Sequence, residues 1–290
     1  MTHFDRSNTA KSLPLLTVLI PASNEEALIG RCLRSLLESE WTHAGYVEVI
    51  VISNGSKDRT TEHSLQMQES FCEKGWSLRV LDRKDGGKLG ALNAGDHIAK
   101  GAIRVYLDAD VTLSNLVLTQ IYSALDVPDA RYASGTLMLA KPASSATRAY
   151  ARIYAKVPFM KSSAPGAGLF AVNAPGRLRW GAFPNIISDD TFVRLSFRPD
   201  ERVQVGACYT WPLVEGWRNL IRVRRRQNAG VDEIKARYPH LLMNDDKTEF
   251  TVLEKVRLAL RDPIGFAIYA GVALVVRFTP AAASGWTRGR

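Results

Sequence analysis

The tripeptide Asp108-Ala109-Asp110 closes the apolar run Ile103-Arg104-Val105-Tyr106-Leu107. Two carboxylates two positions apart, at the C-terminal end of a buried strand, can hold one hard divalent cation against a phosphate-bearing ligand. The same pattern also arises as a strand-ending turn with solvated carboxylates, so its meaning depends on its company. Three segments precede it: Ile20-Pro21-Ala22-Ser23-Asn24-Glu25-Glu26, then Ser53-Asn54-Gly55-Ser56-Lys57-Asp58-Arg59-Thr60, then Gly87-Lys88-Leu89-Gly90-Ala91-Leu92-Asn93-Ala94-Gly95. Asn24 and Glu25 directly follow an apolar run, where backbone amides at a helix start can meet a phosphate or a base, or where Ser23 or Asn24 can cap the helix. Lys88 is a flexible cationic donor at the start of a helical pattern, suited to a diphosphate, and Asn93 can bond a ligand or neighbouring backbone. Further on, Ser188-Asp189-Asp190 precedes Thr191-Phe192-Val193-Arg194-Leu195. Adjacent carboxylates at a helix N-terminus can complement its dipole or serve as acid–base groups.

The elements that must position these residues alternate. Leu15–Ile20, Val47–Ile52, Leu78–Leu81 and Ile103–Leu107 read as strands, and the intervening Glu25–Glu38, Thr60–Lys74 and Lys88–Ala99 read as helices. This is the sequence form of an α/β nucleotide-binding half with a parallel sheet and crossover helices. Beyond Asp110 the regularity weakens: Ser114–Leu125 is helical, Ala133–Ala140 strand-like, and Ala146–Lys161 helical with a basic side. The run Ser162-Ser163-Ala164-Pro165-Gly166-Ala167-Gly168 then leads into apolar Leu169–Val172. Such a glycine-containing loop either lets backbone approach a ligand or simply turns the chain into a strand.

Taken in order, the four segments resemble glycosyltransferase family 2, inverting enzymes of GT-A fold that use nucleotide-sugar donors. The resemblance implies a GT-A-like (Rossmann-like), mostly parallel sheet with flanking helices, to which the sequence adds a C-terminal helical, membrane-associated segment. It places Pro21, Asn24, Glu25, Asn54, Lys88, Asn93, Asp108, Arg225 and Arg226 at the donor, with a UDP-sugar favoured. It implies Mg²⁺ or Mn²⁺ on Asp108 and Asp110, and Asp190 as the base with Asp189 as its neighbour, about eighty residues after Asp110. Acceptor contacts are expected around Gly166, Gly168, Trp180 and Phe183, for a saccharide or lipid-linked acceptor. Two departures stand out. Asn54 replaces the acidic residue usual before Gly-Ser, and Val223, Arg226 and Gln227 stand where processive members carry Gln, Arg and Trp, which argues against a processive synthase. A catalytically silent sugar-binding scaffold and a sugar nucleotidyltransferase are the alternatives. Retained Lys88, Asp108, Asp110 and Asp190 weigh against the first, and the lack of an early glycine-rich phosphate loop against the second.

The 290 residues carry a net charge of +9, which favours anionic partners, yet no nucleic-acid-binding signature accompanies it. Cys32, Cys72 and Cys208 lack metal-ligand spacing and read as reduced thiols. Residues 1–12 form a polar tail without an apolar leader, so the catalytic region is expected at the cytoplasmic side of a membrane. Residues 13–230 are expected to be the catalytic domain, divided at 112 into nucleotide and acceptor halves, with 231–290 as the helical, membrane-associated region. The basis for the latter is Pro263–Val276, fourteen residues without a charge, between Lys255, Arg257 and Arg261 upstream and Arg277, Trp286, Arg288 and Arg290 downstream. A spanning helix wants ~20 apolar residues, so a buried core helix competes with a membrane-associated one, and the flanking cations favour the latter.

Overall fold

The computed structural model describes residues 13–279. The expected polar tail, and Trp286, Arg288 and Arg290, lie outside them. The first half runs β1 (Leu16–Ala22), α1 (Ile29–Leu37), β2 (Val47–Asn54), α2 (Thr60–Leu65), α3 (Gln68–Glu73), β3 (Ser77–Arg83), α4 (Lys88–Ile98) and β4 (Ile103–Leu107). Strands β1 and β2 are buried almost throughout because their Val- and Ile-rich runs are covered on both faces, as parallel strands between helices must be. The second half contributes β5 (Thr112–Leu113), α5 (Val117–Leu125), β6 (Tyr132–Leu139), α6 (Ser145–Tyr154), α7 (Pro158–Lys161), β7 (Leu169–Val172), α8 (Ala174–Arg177), α9 (Asp189–Leu195) and β8 (Arg202–Trp211). Three helices follow: α10 (Trp217–Arg237), α11 (Val252–Arg261) and α12 (Pro263–Phe278).

All eight strands form one sheet in the order β3-β2-β1-β4-β7-β6-β8-β5. It is parallel from β3 to β4, after which β7 runs antiparallel to both β4 and β6, so the sheet is mixed rather than mostly parallel. The reversal has a geometric consequence. Strands β2 and β4 flank β1, which opens a crevice at their C-terminal ends, and the start of antiparallel β7 arrives at the same edge.

Several expected helices are divided, each for a local reason. The Thr60–Lys74 helix breaks after Leu65, where the Ser64 hydroxyl bonds back to the Thr60 carbonyl at 2.8 Å and weakens the regular ladder. The helix expected over 146–161 breaks because Pro158 forces Val157 into an extended conformation with ψ 155°. Residues 25–28 form a turn ahead of α1, since the amides of Asn24, Glu25 and Glu26 bond the side chains of Ser56, Thr60 and Asp58. The boundary placed at residue 230 falls inside α10, a single 21-residue helix.

Helix α12 covers the whole charge-free segment. Its Val272 is buried, and Ile268, Tyr269 and Val276 pack with it against Tyr150 and Tyr154 of α6 and Leu220 of α10. Among the described residues no helix is long and apolar enough to cross a membrane.

Candidate active site

A cavity of about 530 Å³ opens at the C-terminal edge of the parallel strands. Pro21 and Ala22 of β1, Asn54 of β2 and Asp108–Asp110 after β4 line one end, and Asp189 and Asp190 at the start of α9 complete it. Lys88, the first residue of α4, stands between the two carboxylate groups. Its Nζ is 2.9 Å from Asp108 Oδ1 and 3.0 Å from Asp189 Oδ2. Burial works against the ammonium charge, but Asp108 and Asp189 outweigh it and hold the Lys88 pKa above the usual lysine range.

Asp190 has the opposite problem. Burial and the adjacent Asp189 charge push its pKa up to about 6, against a smaller opposing pull from Lys88 and from the Thr191 amide, which donates to Asp190 Oδ1 at 2.6 Å. Asp189 is tied to Lys88, while the carboxyl of Asp190 is poised near neutrality, which is the environment a general base needs.

Helix α9 is held in place from behind. Arg194, fully buried, pairs with Asp245 and Asp246, and the buried Arg202 shares Asp246 at 2.9 Å. This charged knot fastens the 239–247 segment and brings Lys247 to the cavity wall, where burial lowers its pKa. In front, α10 approaches the side chains of Ile187 and Ser188 closely because Gly230 lacks a side chain; a Cβ there would collide with the Ser188 hydroxyl. Glu233 of the same helix accepts from the Ile187 amide at 2.8 Å.

The structure separates the expected site residues into those at the cavity and those beside it. Pro21, Glu25, Asn54, Lys88, Asp108, Asp110, Gly168, Asp189, Asp190 and Arg226 line it. Asn54 is buried, and its side-chain oxygen has no hydrogen-bond partner among the described residues. Gly168, with φ +75°, leaves no room for a side chain against Trp211 and Val111, and its carbonyl accepts from the Asp108 amide at 2.9 Å.

Six of the expected site residues are not part of the cavity lining. Asn24, at φ 50°, accepts from the Lys57 amide at 2.7 Å and ties two loops together without lining the cavity. Asn93 spends both halves of its amide on Phe183: its nitrogen donates to the Phe183 carbonyl and its oxygen accepts from the Phe183 amide. Trp180 and Phe183 are buried against each other in the second core cluster, under the Arg177 guanidinium, because large aromatic rings fill the gap beneath the loop. Gly166 is packed against Tyr132, and Arg225 bonds Thr279 at the end of α12. Sequence reasoning also missed the far wall of the cavity, which is Tyr150 and Tyr154 of α6, Trp211 of β8, Arg224 of α10, Phe250, and Tyr269 of α12. No local motif could have joined them, since five separate elements or loops supply six residues.

Comparison with known proteins agrees with this geometry. Residues 17–170, just over half of the chain, match the family described as Glycosyl transferase family 2. A beta-monoglucosyldiacylglycerol synthase of Trichormus variabilis is 33% identical over 113 residues, 38% of this chain and 23% of that protein. Glycosyltransferase AglE of Haloferax volcanii is 33% identical over 100 residues, 34% of this chain and 31% of its own. The matched region therefore spans about a quarter to a third of these relatives. Among solved structures, the mannosyltransferase PcManGT of Pyrobaculum calidifontis, in complex with GDP-Man and Mn²⁺, superposes with a TM-score of 0.61 at 18% identity, covering 93% of this chain and 77% of its own. TarS 1–349 of S. aureus, in complex with UDP-GlcNAc, gives 0.52 at 14% identity, covering 90% and 91%. At such identities the likeness is one of fold.

Proposed function

The chain belongs to glycosyltransferase family 2, and on that premise we propose that it moves a sugar, with inversion, from a nucleoside-diphosphate sugar to a hydroxyl of a saccharide or lipid-linked acceptor. The observation that carries this reading is the Lys88 bridge. A single cation joins the carboxylate end of the cavity to the α9 pair, with the raised carboxyl of Asp190 beside it. In this reading the donor base lies toward Asn54, whose unpartnered side-chain oxygen suits a base presenting a ring N–H, as uracil and guanine do. The diphosphate lies toward Lys88, and Arg226 is a further cation on the same cavity.

Asp190 takes the acceptor hydroxyl proton. The acceptor oxygen forms its bond to the anomeric carbon from the face opposite the diphosphate, whose C–O bond breaks and keeps the electron pair. Charge on the departing diphosphate is met by Lys88. Asp108 and Asp110 offer two hard oxygen donors on one cavity wall, a set that fits Mg²⁺ or Mn²⁺, ions bound by one or two carboxylates together with substrate phosphates. No group of three or more His, Cys, Asp or Glu among the described residues is placed to hold a metal alone, and such an ion needs none. When bound, the ion supplies further neutralisation of the leaving group.

A thermal-shift panel of nucleotide sugars, with and without Mn²⁺, followed by transfer assays, tests the reading. One nucleotide-sugar class should stabilise the chain in a Mn²⁺-dependent way. Asp190→Asn should keep that stabilisation and lose turnover by at least ~10²-fold. Stabilisation by no nucleotide sugar, release of pyrophosphate in place of transfer, or undiminished turnover in the variant would each overturn it.

A further inference from the structure

Helix α11 turns its apolar residues to solvent. Val252, Leu253, Val256 and Leu260 are 74, 61, 49 and 79% exposed, whereas Leu258 is buried beneath them. At about 100° per residue the four exposed positions fall within one arc of the helix roughly 100° wide. Lys255 lies along one border of that arc, and Arg257 and Arg261 lie along the other. The chain passes through Asp262 into α12, whose first turn exposes Ile264 and whose same face later exposes Leu274 and Phe278.

The charges around this ridge are one-sided. Residues 251–279 hold four cations, Lys255, Arg257, Arg261 and Arg277, against two carboxylates, Glu254 and Asp262. Both carboxylates are engaged. Glu254 closes a capping box with Thr251 at the start of α11, and Asp262 accepts from Arg152 at 2.6 and 2.9 Å and from the Gly265 amide at 2.9 Å. An apolar stripe bordered on both sides by cations is the profile of a helix lying in a bilayer interface, with its hydrocarbon at the acyl boundary and its cations among headgroups. A second copy of this chain is a poorer partner, because pairing the ridges would set Arg257 and Arg261 against themselves on molecules of net charge +9.

We propose that α11, with the first turn of α12, is a docking surface for a bilayer containing anionic lipid. The charge-free segment that first suggested a membrane packs inward through Val272 and Tyr269, while the more polar helix ahead of it faces outward. Because Tyr269 also lines the cavity, the docking hairpin is continuous with the cavity wall.

Flotation of the full chain with phosphatidylcholine vesicles, and with equimolar phosphatidylcholine–phosphatidylglycerol vesicles, tests this without reference to sugar transfer. Failure here leaves the transfer reading untouched. The chain should float with the anionic vesicles and much less with the neutral ones. Val256→Glu/Leu260→Glu should reduce vesicle partition by about tenfold or more with an unchanged melting temperature, since both positions are exposed. Arg257→Gln/Arg261→Gln should remove most of the preference for anionic vesicles, at roughly fivefold per charge. Absence of flotation, parental flotation of the Val256→Glu/Leu260→Glu variant, or conversion by that variant of a vesicle-free dimer to monomer in sedimentation would overturn the proposal, the last outcome assigning the ridge to a second copy.

Discussion

The two halves of this molecule place chemistry in different ways. In the first half, cavity residues cluster at the ends of parallel strands or at a helix start: Pro21 is the penultimate residue of β1, Asn54 ends β2, Lys88 begins α4 and Asp108 follows β4. Beyond β4 the opposite wall is gathered from α6, β8, α10, α12 and a loop, none of which carries a local signature. The first arrangement ties function to sequence position through the sheet. The second ties it to packing, so the same cavity is rigidly specified at one end and open to substitution at the other.

The sharpest way to break this comparison is at the strand-end carboxylates. Asp110→Asn removes a hard anionic donor from the turn that follows β4, and the loss of several kcal/mol of charge stabilisation corresponds to on the order of 10³-fold in turnover. Circular dichroism should be unchanged, and the Mn²⁺-dependent part of the nucleotide-sugar thermal shift should vanish. Retention of both the shift and the rate would remove the metal role from this end of the cavity.

On the packing side, the corresponding experiment is Asp246→Ala. It strips the shared carboxylate from Arg194 and Arg202, both buried, and leaves two like charges facing each other. Breaking such a buried arrangement costs about 3–5 kcal/mol, which denaturant titration would read as a lowered midpoint. Activity should fall with stability, because α9 carries Asp189 and Asp190. A variant of parental stability would show that α9 is held by its apolar contacts alone.

How much of this was legible beforehand follows the same division. The strands and the crevice could be anticipated because parallel strands are continuous apolar runs, and the lining by Pro21, Glu25, Asn54, Lys88, Asp108, Asp110 and Asp190 because the motifs at or after those runs, and Ser188-Asp189-Asp190 further on, resemble the family's. Asn24 and Asn93 lie in the expected loops, where their side-chain oxygens accept from backbone amides and neither residue lines the cavity. Trp180 and Phe183 were read as acceptor contacts because an aromatic near a loop looks the same in sequence whether it faces a cavity or a core. The Arg194–Asp246–Arg202 knot joins residues 44 to 52 positions apart, and only the fold brings them together.

Asp190 offers a moderate effect with a defined sign. Its folded pKa, raised from 3.8 to about 6, means that the native state binds more protons than the unfolded chain between those values, so this group's contribution to stability falls as pH rises through that window. Asp190→Asn should therefore melt a few degrees above the parent at pH 8, at about 2–4 °C per kcal/mol for a large domain. The parent's turnover should climb with pH through about 6 as the carboxylate forms. Scanning calorimetry at pH 4 and pH 8 checks the first statement, and a variant that melts lower at pH 8 would contradict the burial and repulsion assigned to this side chain.

The smallest effect separates two adjacent arginines of α10. Arg226 lines the cavity, whereas Arg225 reaches the other way to Thr279 at the end of α12. A surface contact of that kind is worth no more than about 0.5 kcal/mol, so Arg225→Gln should change nucleotide-sugar affinity by less than about twofold. Arg226→Gln removes a cation from the cavity and should weaken donor binding by roughly fivefold to tenfold, with a shallower dependence on salt. Isothermal titration of both variants at two ionic strengths makes the comparison. Equal losses would mean that α10 contributes to the site through its overall charge, whereas a loss confined to Arg225 would reverse the orientation of the helix relative to the donor and with it the division between strand-end and packed chemistry.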